Sequence, residues 1–78
     1  MRKLKLIWDF KGSDAQFTAR HHENHLREYL KNHHIPYLDS GTDQLHELHA
    51  TAYVAINEAD LPKIRDVLKP HRGEVYKK

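Results

Sequence analysis

The sequence predicts an α+β fold: one antiparallel sheet of four strands with two helices on a single face. Three observations predict it. Two segments, Lys3 to Phe10 and His49 to Asn57, alternate apolar and polar residues with the period of two that marks a half-buried strand. A long segment, Ser13 to His34, repeats its apolar residues with the period of a helix. A shorter helical pattern follows Asn57 and stops at Pro70.

In the first strand Leu4, Leu6, Trp8 and Phe10 fall on one face, and Lys3, Lys5, Ile7 and Asp9 on the other. The more apolar row is expected to meet the helices. Lys11-Gly12-Ser13 turns the chain into the long helix. Ser13 and Gln16 match the S-x-x-Q capping box, in which the hydroxyl accepts from a first-turn amide and the glutamine reaches back. Asp14 adds negative charge at the positive end of the helix dipole. At about 100° per residue, Ala15, Ala19, His22, Leu26, Tyr29, Leu30 and His33 form one stripe, with Arg20, Asn24, Arg27 and Lys31 opposite. Pro36 stops the helix and pushes Ile35 toward extended geometry.

Ile35 to Ser40 is expected to be a short edge strand, and Ser40-Gly41-Thr42-Asp43 a turn. Gln44 to Leu48 fits either the start of the next strand or an irregular connection. His49 to Asn57 is the clearest strand: Ala50, Ala52, Val54 and Ile56 make an apolar row, and His49, Thr51, Tyr53 and Ala55 a mixed one. The second helix opens at Asn57-Glu58-Ala59-Asp60, where acidic residues crowd the first turn and Pro62 is tolerated. Its stripe is Leu61, Ile64, Val67 and Leu68. His71-Arg72-Gly73 is expected to turn, and Glu74 to Lys77 to form a last strand with Lys77 and Lys78 at an exposed edge. The order strand, helix, strand, strand, helix, strand is the split βαβ pattern of ferredoxin-like folds. Residues 1–78 are expected to form one domain without repeats, linkers or low-complexity segments.

Composition narrows the function classes. The net charge of +2 is mild and the two signs are interleaved, which argues against nucleic acid as a partner. The third-strand segment carries only Tyr53 as a stacking ring, which also fits an RNA platform poorly. No cysteine is present, so thiolate metal sites and disulfides are excluded. Lys5 and Asp9 interrupt the apolar residues near the N-terminus, so neither a signal peptide nor a membrane span is expected, and a cytoplasmic location follows as the default. Protonating the eight histidines would add eight positive charges to the +2, so solubility and self-association are expected to depend on pH near histidine's usual value of about 6.5.

Histidine is the chemical signature of the chain, and five of the eight lie in the long helix. His21, His25 and Glu28 are spaced i, i+4, i+7 on one flank, a plausible partial shell for Zn²⁺ or Ni²⁺ but not the H-E-x-x-H of a zinc protease. His46 and His49 offer a weaker pair beside a turn. His22 and His33 fall within the apolar stripe, where an imidazole must be hydrogen-bonded or must line a cavity. Tyr29 and Tyr37 are the expected partners of His22. The acid–base candidates are His22, His49 and Tyr53, and the expected ligand-binding group is Lys5, His22, Tyr29, His33, His49 and Tyr53. Gly12-Ser13 before a helix reads as a cap rather than a phosphate loop, since Asp14 repels anions.

Three phrases, Leu6-Ile7-Trp8-Asp9-Phe10-x-Gly12, Ala19-x-His21-His22-x-x-His25-Leu26 and Leu68-Lys69-Pro70-His71-Arg72-Gly73-Glu74, resemble a group of small, stand-alone bacterial proteins described as hypothetical. The resemblance spans nearly the whole chain and implies a complete small protein, with no activity attached. The C-x-x-C of heavy-metal-associated domains and the phosphate loop of acylphosphatases are absent. The expected function is a self-associating module, a homo-oligomer that binds a small polar or anionic ligand beside the histidine-rich helix and the sheet. The alternatives are a histidine-based metal protein or metal-dependent enzyme, and a cofactor-free histidine/tyrosine acid–base enzyme.

Overall fold

The computed structural model describes residues 2–77. The elements are β1 (Lys3–Lys11), α1 (Ala15–Asn32), β2 (Asp39–His46), β3 (His49–Asn57), a 3-10 turn (Glu58–Asp60) leading into α2 (Leu61–Leu68), and β4 (Arg72–Val75). The sheet order is β2-β3-β1-β4, and all three adjacent pairs are antiparallel. This is the ferredoxin-like α+β arrangement that the element order predicts. No helix among the described residues is long and apolar enough to cross a membrane.

The even-numbered row of β1 and β3 makes the core. Leu6, Trp8, Ala50, Ala52, Val54 and Ile56 pack with Ala15, Ala19, Leu26 and Leu30 of α1 and with Ile64 of α2. Both helices therefore lie on one sheet face. Ala50 and Ala52 of the sheet and Ala15 and Ala19 of α1 belong to the same cluster, and side chains this small let helix and sheet approach closely. Trp8 also pins α2: its indole Nε1 donates to the carbonyl of Leu68 at 2.8 Å.

The capping box does not form. Asp14, not Ser13, occupies the boundary of α1, with no side-chain cap hydrogen bond. The entry to the helix is set by backbone instead. Gly12 has φ +115°, its amide donates to Leu48 at 2.8 Å, and its carbonyl accepts from Ala15 at 3.1 Å. That conformation favours glycine and places Ser13 ahead of the cap position. The other end is a Schellman motif closed by a histidine. His34 is left-handed at φ 55°, its amide bonds Lys31, and the amide of Ile35 bonds Leu30 while its side chain is buried.

β2 departs from expectation. The predicted turn Ser40–Asp43 lies inside the strand, and the hairpin turns at Glu47–Leu48. Gly41 is there because the Tyr53 ring crosses it: a Cβ would fall 2.9 Å from the Tyr53 hydroxyl. β2 is also an edge strand whose helix-facing row is polar, with Ser40 Oγ donating to Glu23 Oε2 at 2.8 Å. α2 begins as expected, with Pro62 in its first turn, but Val67 is 59% exposed and only Ile64 is fully buried. The helix is only eight residues long, and its exposed side turns Val67 away from the core. β4 begins at Arg72 rather than Glu74, because the amide of His71 already bonds Ile7 and pulls the segment onto β1. Lys78, part of the expected edge, lies outside the described residues.

Candidate functional site

The sheet face without helices covers itself. Ile7, Thr51 and Ala55 on this face are only 5%, 4% and 0% exposed. Lys5 places Nζ 4.3 Å above the Tyr53 ring and 3.8 Å from Asp43. Tyr76 donates its hydroxyl to Asp39 at 3.1 Å. Burial, then the charges of Asp39 and Asp43, raises the Tyr53 phenol above its ordinary value, so it stays protonated near neutral pH. Two sequence candidates, Lys5 and Tyr53, are thus brought together. His49 is not part of that group: four residues of strand, about 13 Å, separate it from Tyr53.

His49 belongs to a different cluster. Its Nε2 lies 2.9 Å from Asp9 Oδ1, and Arg72 donates to the same carboxylate through Nε at 3.1 Å and Nη2 at 3.0 Å. Arg72 foremost, with His49 adding to it and burial opposing, holds the Asp9 carboxyl below its usual range. The backbone amide of Asp9 donates to His71 Nδ1 at 2.9 Å. The cluster ties β3, β1 and β4 across the open face. If His49 is neutral, its Nε2 carries the proton given to Asp9 and Nδ1 remains the free acceptor. Sequence reasoning did not select Asp9 or Arg72, since strand alternation alone does not reveal which charged residues become cross-strand neighbours.

His22 turns inward, as its place in the apolar stripe predicts, but its expected tyrosine partners are elsewhere. Its ring sits 5.3 Å from both Trp8 and Phe10. Nε2 is buried and, among the described residues, has no hydrogen-bond partner. Burial first, then His25 and His71, lowers its pKa from 6.5, so the ring is neutral at pH 7. Tyr29 instead stacks on His33 at 4.1 Å. His33 is exposed because the helix ends at Asn32 and the Schellman turn swings it outward.

The two histidine pairs differ in setting. His21 and His25 meet edge to face at 4.5 Å on the outer flank of α1, and His46 and His49 at 5.7 Å beside the hairpin. Among the described residues, no group of three or more His, Cys, Asp or Glu side chains is placed to hold a metal ion, so Glu28 does not complete a set with His21 and His25.

Two concave surfaces stand out among the described residues. A cavity of about 710 Å³ lies along the C-terminal half of α1, walled by Asn24, Arg27, Glu28 and Lys31 against Ile35–Tyr37. Its walls set charged and polar side chains of α1 against the apolar surface of Ile35 and Pro36, and Arg27 is held by Glu23 at 2.7 Å. The second, about 420 Å³, lies between α2 and β4. Leu4, Leu6, Leu61 and Val75 line it together with three arginines, Arg2, Arg65 and Arg72, and one carboxylate, Glu74. Gly73 opens it, because a Cβ there would point at Leu6 Cδ2 from 3.4 Å. Arg2 is paired with Glu58 at 2.6 Å, whereas the nearest carboxylate to Arg65 is Asp66 at 3.5 Å. Sequence reasoning missed this groove because β4 was expected two residues later, which hides Gly73 in a turn. Compared with protein-family models, curated proteins and solved structures, the chain gave no match.

Proposed function

We propose that the protein is a small binding module for an organic anion with an apolar body, seated between α2 and β4. One observation carries the reading: the groove joins an apolar floor of Leu4, Leu6, Leu61 and Val75 to the guanidinium groups of Arg2 and Arg65. Its volume of about 420 Å³ falls in the range of small-molecule sites, roughly 300–1,000 Å³. A planar, weakly hydrated guanidinium suits a carboxylate or phosphate, and Arg65 has the least committed charge. The anionic ligand expected from the sequence is kept, and so is the cytoplasmic setting. Its place moves from the histidine helix to this groove, because Lys5 with Tyr53, His49 with Asp9, His22, and Tyr29 with His33 occupy four separate surroundings.

The test is an amide NMR titration with decanoate, with decanol as the uncharged control. Shifts are expected at Leu4, Leu6, Leu61, Gly73 and Val75, stronger for the carboxylate. Gly73→Val, whose Cβ would sit in ordinary contact with Leu6 Cδ2, should fill the groove and abolish the response while the fold persists. Arg65→Ala should weaken decanoate and leave decanol unchanged. Shifts scattered over the surface, or undiminished in Gly73→Val, would refute the assignment.

A further inference from the structure

The outer flank of α1 carries a feature independent of the groove. His21 and His25 are both exposed, and their rings lie 4.5 Å apart on successive turns. The ring hydrogen bonds among the described histidines belong to His46, His49 and His71, so the lone pairs of this couple are uncommitted. Imidazoles at i and i+4 project from one side of a helix and can both reach one ion. Yet the chain supplies no third donor beside them among the described residues. A tetrahedral ion such as Zn²⁺ takes four ligands, and half the set is missing.

The same flank explains where the other half comes from. Phe17, one turn before His21, is 76% exposed, the most exposed large apolar side chain among the described residues. An aromatic ring that the fold leaves in water, beside half of a ligand set, is self-complementary under two-fold rotation. Two such flanks facing each other supply four imidazoles and bury both phenylalanine rings. Glu28, three residues beyond His25, adds negative charge on the same side of the helix and offsets the charge of the ion.

We infer that His21 and His25 are half of a transition-metal site, completed by the same pair of a second copy, so that Zn²⁺ joins two chains through the outer faces of α1. No electron or group transfer is involved. The ion only exchanges water for imidazole nitrogen. The homo-oligomer expected from the sequence becomes, on this inference, metal-dependent.

Sedimentation velocity and native mass spectrometry of tag-free protein, titrated with zinc chloride above neutral pH where protons compete little for imidazole, give the test. The expected result is a monomer that becomes a dimer holding a single zinc, reversed by a chelator. His25→Ala should lose both zinc and dimer; the position is exposed and alanine favours the helix, so the fold should survive. His33→Ala, on a ring stacked against Tyr29, should keep both. Phe17→Ser should still take up zinc but dimerise more weakly. A dimer that forms without zinc, zinc held by a single chain without assembly, or zinc bound equally by His25→Ala (an adventitious ion only) would each overturn the inference. Decanoate binding in the groove should be the same in His25→Ala, so the two proposals fail separately.

Discussion

Replacing His22 by leucine should stabilise the protein, although it removes a side chain from the middle of the core-facing helix stripe. The imidazole lies between Trp8 and Phe10 with Nε2 buried and unpartnered. A buried polar atom without a partner costs about 1–3 kcal/mol, and the low end applies because the residue is only partly buried. Leucine is close in volume, keeps the contact with both rings, and is the better helix former by a few tenths of a kcal/mol. The net expectation is about 1 kcal/mol, which in a domain of this size raises Tm by roughly 4–8 °C.

The same substitution should change the pH dependence. Burial, then His25 and His71, depresses the folded-state pKa of His22 below 6.5. Between that depressed value and 6.5 the unfolded chain binds more protons than the folded one, so stability falls as the medium is acidified. The stability is fully present above 6.5 and is lost as the pH drops toward the folded value. His22→Leu lacks this loss, so its advantage should widen on acidification. Thermal unfolding followed by circular dichroism at about pH 8 and about pH 5 measures both effects. A variant less stable than the parent at the higher pH would show that Nε2 has a partner worth keeping and would sink the reasoning.

Three further expectations concern other parts of the molecule. His34→Gly relieves a left-handed residue at the end of α1 and should raise the urea midpoint by a stability gain of about 0.5–1 kcal/mol, with the m-value unchanged; a lower midpoint would mean the histidine ring contributes more than the strain. Trp8→Phe removes the indole bond to Leu68 and leaves a void under α2, costing about 2–3 kcal/mol, with faster amide exchange in α2 than in α1 as the distinguishing readout. Asp9→Asn should lower stability at neutral pH and remove an acid-side loss. With the folded carboxyl held below 3.8, chiefly by Arg72, the ion pair's contribution is present above that value and disappears as the pH falls below it. Unfolding profiles of parent and variant that run parallel through this range would contradict the assignment.

Sequence periodicity made the two central strands and the long helix legible because their apolar rows face one shared core. β3 matches its expected bounds, and β1 differs only at Lys11. The misread elements lie at the edges. β2 pairs on one side only and meets Glu23 of α1 through Ser40, so its inward row is polar and carries no apolar alternation. β4 is four exposed residues held by backbone bonds to β1. The candidate sites divide the same way. The inward turn of His22 and the nearness of His21 to His25 follow from helix spacing. The Asp9–His49–Arg72 cluster and the groove opened by Gly73 depend on residues 40 or more positions apart meeting across the sheet.

The sequence by itself determined the element order, the apolar faces and the grouping of His21, His22 and His25 on α1, because those are properties of neighbours along the chain; the helix expected to reach His34 stops at Asn32 and leaves His33 and His34 beyond it. Only the tertiary structure decided which charges meet, which ring crosses which glycine, and where a cavity opens. Strand register and helix docking set those contacts, and a register is a relation between distant segments that no single segment encodes.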